Sequence, residues 1–268
     1  MRRGVLALMS AGALVAAAPA AGDGGPPQNA MQGWDGAARG AFRYVAVPTP
    51  GWTSLQVIRR DGGRVQQWLN LKGNWGIPYV TPDAAGEAVL PDDRTLVLGN
   101  VTYGMTLRKR SSFLLADTKR MGIVARIQLE GHFVFDAISP DARYLYLTEF
   151  VSPRDFTAYR VRAYDLRAGR LLPKIVADRR SWDTTMQGWP VSRVDRGGWA
   201  FTLYSTGGRP FIHALDTRHV AAECINLPWA REPSRFFDYR LGFNHDGDLV
   251  VRGRNGRTLA TITRDFAT

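Results

Sequence analysis

Tryptophan and arginine are the residues of this chain best placed to do chemistry at a surface. Five of the eight tryptophans, Trp52, Trp75, Trp182, Trp189 and Trp229, fall in segments between apolar strand-like runs. So do Arg108, Arg110, Arg154, Arg179, Arg180, Arg209, Arg231 and Arg235. Tryptophan supplies a large rigid apolar plate, and arginine a planar fork that matches carboxylate or phosphate. The chemistry of such a set is recognition by stacking and charge pairing. Its densest group is Arg179, Arg180, Trp182, Asp183 and Trp189, with Trp75, Trp229, Arg154 and Arg209 as further candidate binding residues. The bland alternative is that loop tryptophans plug gaps between structural units and loop arginines solvate a surface.

No catalytic set assembles as readily. The four histidines, His132, His213, His219 and His245, include no close metal-ligand pair with a second His or Cys. His213 and His219 flank one turn, an odd place for a catalytic metal. Asp136 and Glu149 fall on adjacent strand-like runs and are candidates to approach each other, although such acids more often bond turns or pair with arginine. There is no Gly-x-Ser-x-Gly elbow and no phosphate-binding glycine loop; Gly197-Gly198 and Gly207-Gly208 read as turns. Cys224 is the one cysteine, so an internal disulfide is excluded, and it reads as a small buried apolar residue. The expectation is no catalytic residue, no metal and no cofactor.

The elements that position these residues are short strands. Residues 133–138, 143–149, 159–165 and 170–177 read as four strands, with Ser139-Pro140-Asp141-Ala142 as a tight turn. A strand, an acidic turn and a second strand recur around Asp61, Asp117, Asp165 and Asp216, spaced by 56, 48 and 51 residues. Each is preceded by another strand, at 42–47, 94–99, 143–149 and 199–204. A fifth copy starts at Asp248–Arg252, passes Asn255-Gly256 and stops before its outermost strand. A recurring four-strand unit predicts an all-β, five-bladed β-propeller. A β-sandwich is the alternative, since it also gives many short strands between turns. A terminal strand is a candidate to complete the last blade and close the ring.

Ser139-Pro140-Asp141-Ala142-Arg143-Tyr144-Leu145-Tyr146-Leu147-Thr148, followed by Ala163-Tyr164-Asp165-Leu166, resembles the YVTN-type, WD-repeat-like propeller repeat of secreted bacterial proteins. The match is best in that blade, partial around Asp117 and Asp216, and extends over residues 41–268. Such propellers share a fold and differ in activity, so the resemblance transfers no catalytic residue. It does imply a runner-up activity, a lactonase-type hydrolase, which needs polar residues such as Asp136 and His132 converging on the central channel. A structural scaffold is a third reading.

In a propeller, the loops from second to third strand and the loops from blade to blade emerge on one face. Residues 48–52, 100–112, 151–158 and 205–210 are the first kind here, and 71–78, 130–132, 178–189 and 227–235 the second. They hold the tryptophans and arginines above. The leading expectation is therefore a non-catalytic module that binds on this face.

Residues 1–20 read as a signal peptide: Arg2 and Arg3, an apolar run from Gly4 to Ala18, and the small-residue pattern Ala18-Pro19-Ala20, with cleavage after Ala20. The run is short for a membrane span, so no transmembrane segment is expected after cleavage. Residues 21–40 read as a flexible Gly-, Ala- and Pro-rich leader. The formal net charge is +11, and loss of Arg2 and Arg3 leaves +9. That charge favours anionic partners, and a secreted chain meets them as a protein or an anionic cell-envelope component rather than nucleic acid.

Overall fold

The run His132–Ile138 is apolar but for His132 and Asp136, whereas Gly122–Glu130 carries charge at Arg126 and Glu130, and the fold buries the first run and exposes the charges of the second. The computed structural model describes residues 30–33, 36–81, 87–101, 107–152, 154–156, 158–178, 186–263 and 265–266. It is a β-propeller of five antiparallel sheets. A two-residue strand, β1 (Ala30–Met31), comes first. The first blade is β2 (Ala37–Arg39), β3 (Phe42–Thr49), β4 (Trp52–Arg59) and β5 (Val65–Lys72). The second is β6 (Trp75–Pro78), β7 (Thr95–Asn100), β8 (Arg110–Asp117) and β9 (Gly122–Glu130). The third is β10 (His132–Ile138), β11 (Tyr144–Phe150), β12 (Ala158–Asp165) and β13 (Arg170–Val176), with β14 (Met186–Gln187) pairing on β12. The fourth is β15 (Trp189–Arg196), β16 (Trp199–Ser205), β17 (Phe211–Asp216) and β18 (Ala221–Asn226). The fifth has three strands, β19 (Arg240–Phe243), β20 (Leu249–Arg252) and β21 (Thr258–Ile262).

Burial follows residue type. His-Phe-Val-Phe-Asp-Ala in β10 is buried throughout, while the outer strand β9 exposes every charged residue it carries. Apolar side chains from neighbouring blades meet between the sheets. One core joins blades one to three through Tyr44, Leu55, Leu98, Phe113, Phe135 and Leu147. A second joins blades three and four, and a third joins blades four and five.

The recurring aspartates cap the hairpin between third and fourth strands. Oδ1 of Asp165 accepts from the backbone N–H of Arg167 and Ala168, both at 2.9 Å. Asp117 does the same for Lys119 and Arg120, and Asp216 for Arg218 and His219. The carboxylate replaces a backbone acceptor in the turn, which is why an acid recurs there. Asp61 instead pairs with Arg59 at 2.7 Å. Asp265 follows Asp216 by 49 residues and accepts from the Thr263 hydroxyl. The 56-residue spacing between Asp61 and Asp117 comes from the connection of β6 to β7, residues 79–94, where the third blade needs only 139–143.

Two pairings begin ahead of residue 41, inside the stretch expected to be a flexible leader. β2 pairs with β3 as the inner strand of the first blade. β1 pairs with β6, Met31 opposite Ile77, on the inner side of the second blade. Close approach explains the small residues here: a Cβ on Gly36 would lie 1.8 Å from the Tyr44 carbonyl oxygen. The expected closing strand is thus used elsewhere. β1 lies on the second blade, and among the described residues the fifth blade keeps three strands.

Candidate functional site

On the loop face, the junction of the first two blades brings Trp52 into register with Lys72 and ties the Trp75 indole to the Lys72 backbone. The β3–β4 hairpin puts Trp52 opposite Lys72 of β5. The chain then crosses through Gly73 to Trp75, whose indole N–H donates to the Lys72 carbonyl at 2.9 Å. Gly73 has φ +103°, and a Cβ there would sit 3.2 Å from the Trp75 indole nitrogen, so only glycine fits this crossing. Thr53 fixes it from below, donating to the Gly73 carbonyl and accepting from the Trp75 N–H, each at 2.9 Å. Gln32 donates to the Trp75 carbonyl at 2.8 Å and to Asn74. Trp52 remains 49% exposed, an apolar plate beside a cation.

The other candidate residues scatter. Trp75 and Trp189 open strands β6 and β15 rather than lying in loops, and both are half-buried. Trp229 packs edge-on against Phe236 and Tyr239, with centroids 6.3 and 5.9 Å away, and seals the core of blades four and five. That matches the plugging alternative. Arg154 and Arg209 are exposed on the 151–158 and 205–210 loops. Arg179, Arg180, Trp182 and Asp183 lie outside the described residues. Two loop arginines are structural ties. Arg108 is pinned by donation to the carbonyls of Asn100 and Phe133, both at 2.8 Å, and Arg110 pairs with Glu130 at 2.6 Å. Sequence reasoning missed Glu232. It accepts from Ser205 and Gly207, both at 2.9 Å, and from Thr206, binding the 205–210 loop to the 227–235 loop.

The second concentration of polar groups lies where the inner strands of blades three and four approach. Arg193 of β15 is buried, its side chain 1% exposed. Its Nη1 donates to Asp136 Oδ1 at 2.8 Å and to Thr202 Oγ1 at 3.2 Å, and its Nε donates to Asp195 Oδ1 at 3.1 Å. Glu87, from the second blade, brings Oε1 to 3.0 Å from Nε. A bulge in β10 between Phe135 and Ala137 makes Asp136 the extra residue of its strand, and a matching bulge lies in β15 between Pro190 and Ser192. Burial opposes the charge of Arg193, but Asp195, Glu87 and Asp136 more than offset it and hold the guanidinium protonated. Burial pushes Glu87 up to about 8 despite the opposing pull of Arg193.

Next to this cluster runs an aromatic chain. His132 meets Phe150 edge-on at 5.3 Å, Phe150 meets Tyr159 at 5.9 Å, Tyr159 meets Tyr204 at 5.9 Å, and Tyr204 meets His213 at 6.5 Å. Burial holds both histidines neutral, each lowered to about 4, and raises both tyrosines. Nδ1 of His132 accepts from the Arg108 backbone N–H at 2.9 Å.

This geometry does not bring the two candidate acid–base groups together. His132 and Asp136 stand four residues apart on one strand, about 13 Å at a rise of ~3.3 Å per residue. Asp136 is held by Arg193, and Glu149 sits opposite Phe133 and pairs with Arg162 at 2.7 Å. Asp136 and Glu149 therefore answer to different arginines. Among the described residues, no group of three or more His, Cys, Asp or Glu is disposed to hold a metal ion, and no helix is long and apolar enough to cross a membrane.

No protein-family model matches the chain, and no curated protein matches it. Solved structures do. Hydrazine synthase of Kuenenia stuttgartiensis is similar over 87% of this chain and 71% of its own, at 14% identity and a TM-score of 0.50. The Dos1 propeller matches 78% of this chain and 47% of its own, at 12% identity and a TM-score of 0.40. BamB from Moraxella catarrhalis matches 88% of this chain and 65% of its own, at 13% identity and a TM-score of 0.37. At such identities the likeness is one of fold.

Proposed function

We propose that the chain is a non-catalytic binding module acting outside the cytoplasm, which takes a protein or an anionic envelope component on its loop face. One contrast carries the reading. Between the inner strands Arg193 is buried and ion-paired with Asp136, Glu87 and Asp195, while Trp52 stands half-exposed in register with Lys72 on the loop face. A stacking plate next to a cation suits a partner that offers a flat or apolar group beside an acid. Arg154 and Arg209 extend the basic character of that face, and Arg179, Arg180, Trp182 and Asp183 belong to the same proposed surface. The segment with Arg2, Arg3 and Ala18-Pro19-Ala20 supports export with cleavage after Ala20. The repeat at 139–148 and 163–166 supports a YVTN-type relationship.

Cosedimentation of the purified mature chain with envelope fractions across a salt series tests the proposal. Retention that survives salt and drops in Trp52→Ala and Arg180→Ala supports a defined site. Retention lost equally in all three proteins at modest salt reduces the effect to net charge.

A further inference from the structure

Arginine concentrates at one corner of the loop face. Residues 231–240 and 252–257 carry six arginines, Arg231, Arg235, Arg240, Arg252, Arg254 and Arg257, against two acids, Glu232 and Asp238. Both acids are already engaged: Glu232 holds the 205–210 loop, and Asp238 lies 2.8 Å from Arg235 Nε. The two segments line a pocket of about 480 Å³, with Ser234, Arg235, Tyr239, Arg254, Asn255 and Leu259 around it beside Asp238. Its walls are held by the protein's own hydrogen bonds. On one side Arg240 Nη1 donates to the carbonyls of Phe237 and Tyr239 at 2.9 and 2.8 Å, and the Asp238 N–H donates to the Arg235 carbonyl at 2.9 Å. On the other, the β20–β21 hairpin closes with the Gly253 N–H on the Arg257 carbonyl and the Gly256 N–H on the Gly253 carbonyl, both at 2.9 Å. Gly256 has φ +77°, the left-handed geometry that lets this turn close. Arg254 and Arg257 are exposed on the turn, and among the described residues their guanidinium groups make no hydrogen bond or ion pair.

We infer that this pocket binds the phosphate group of an organic phosphate ester. Arg235 stands on one wall and Arg254 on the other, so two planar forks close on one anion from two sides. A tetrahedral phosphate offers oxygens in several directions and takes both forks, whereas a flat carboxylate fills one. The Ser234 hydroxyl and the Asn255 amide add neutral donors to the same lining. The floor is apolar. Leu259 lies there with the half-buried Tyr239 ring, which Trp229 and Phe236 pack from the far side with centroids 5.9 and 5.2 Å away. An apolar floor next to the cations suits the carbon body that carries the phosphate, a sugar or a lipid headgroup, and a bare ion would leave it uncovered. The inference names the ligand chemistry of the loop face and to that extent rests on the reading above. It places a site in the fifth blade, apart from Trp52 in the first.

Nuclear magnetic resonance of the purified mature chain, read at the arginine Nε–H signals, tests this. Glucose phosphate, inorganic phosphate and glucose are titrated at constant ionic strength. The Arg235 and Arg254 signals shift and saturate with glucose phosphate, respond more weakly to inorganic phosphate and ignore glucose. Arg254→Glu weakens binding by about tenfold or more. Arg254→Lys weakens it severalfold, because the charge stays and the fork is lost. Arg167→Glu makes the same charge change on the opposite face and leaves affinity within about twofold. Shifts that never saturate overturn the inference. So does equal weakening by Arg167→Glu and Arg254→Glu, or inorganic phosphate bound as tightly as the ester. Flotation with phosphatidylglycerol vesicles against phosphatidylcholine vesicles separates the sources. Retention on the first alone, lost in Arg254→Glu and kept in Arg167→Glu, assigns a lipid headgroup. Saturation by glucose phosphate without vesicle retention assigns a sugar-borne phosphate. Cosedimentation with envelope fractions that persists without phosphate binding overturns this inference alone, and phosphate binding without cosedimentation overturns the envelope reading alone.

Discussion

Arg193 Nη1 donates to Asp136 Oδ1 at 2.8 Å, and this one bond joins the inner strands of the third and fourth blades. The two residues are 57 positions apart in sequence, and both strands carry a bulge beside the contact. The pair ties the third blade to the fourth. Its behaviour on mutation measures that tie.

Arg193→Met strands Asp136 in a buried site without its cation. Breaking one side of a buried pair costs about 3–5 kcal/mol, whereas replacing both sides with apolar groups is often close to neutral. Urea unfolding of Arg193→Met is expected to show a loss of that order, and the double variant with Asp136→Leu recovers most of it. Equal, additive losses in a double-mutant cycle would mean that the two side chains are not coupled.

His213 makes stability depend on acid. Burial lowers its folded pKa from 6.5 to about 4; Asp136 and Asp178 oppose that shift, and Arg193 reinforces it. The unfolded chain therefore takes up a proton that the folded chain refuses. Stability is complete above pH 6.5 and falls as pH drops toward 4, by at most on the order of 3 kcal/mol from this residue. Thermal melts in that window should lose part of their slope in His213→Phe, the rest coming from His132, which burial lowers to about 4 as well. An unchanged acid limb would place the sensitivity elsewhere.

Glu87 acts in the opposite sense. Burial raises its folded pKa from 4.5 to about 8, so the folded chain keeps a proton that the unfolded chain has released. Its contribution is complete below pH 4.5 and is lost as pH rises through 8. Glu87→Gln keeps the shape and removes the titration. Melts of this variant between pH 6.5 and 8, above the histidine window, are expected to lose the fall in stability that Glu87 causes, and a slope identical to wild type would contradict the account.

Gly73→Ala tests the loop-face junction. The residue sits at φ +103° and its new Cβ would press on Trp75, so a loss of roughly 1–2 kcal/mol is expected. The Trp75 contribution to fluorescence should shift as its indole leaves the Lys72 carbonyl. A variant as stable as wild type with an unmoved spectrum would show that the crossing tolerates a side chain.

The blades were legible because their signals are local. Each strand pair is short-range, and the turn acids Asp117, Asp165 and Asp216 mark where third strands end. The polar cluster was not legible, because it is assembled from three blades. Arg193 reads in sequence as an ordinary outward residue in Val-Ser-Arg-Val-Asp. Only the register of β15, shifted by its bulge, turns it toward Asp136 and Glu87. The loop tryptophans were found by type but not by role. Trp229 faces Phe236 and Tyr239, and Trp52 faces outward; nothing in their sequence neighbours separates the two. The first blade's inner strand was hidden because Ala37–Arg39 is too short to show a period.

The most direct test of the loop-face claim places a photo-crosslinking residue at Trp52 on that face and, separately, at exposed Arg167 on the opposite one. Each protein is expressed with its leader and irradiated in intact cells. The expected result is a discrete adduct with an envelope component from position 52 and none from position 167. Adducts from position 167 alone, or equally from both, would contradict recognition by the loop face.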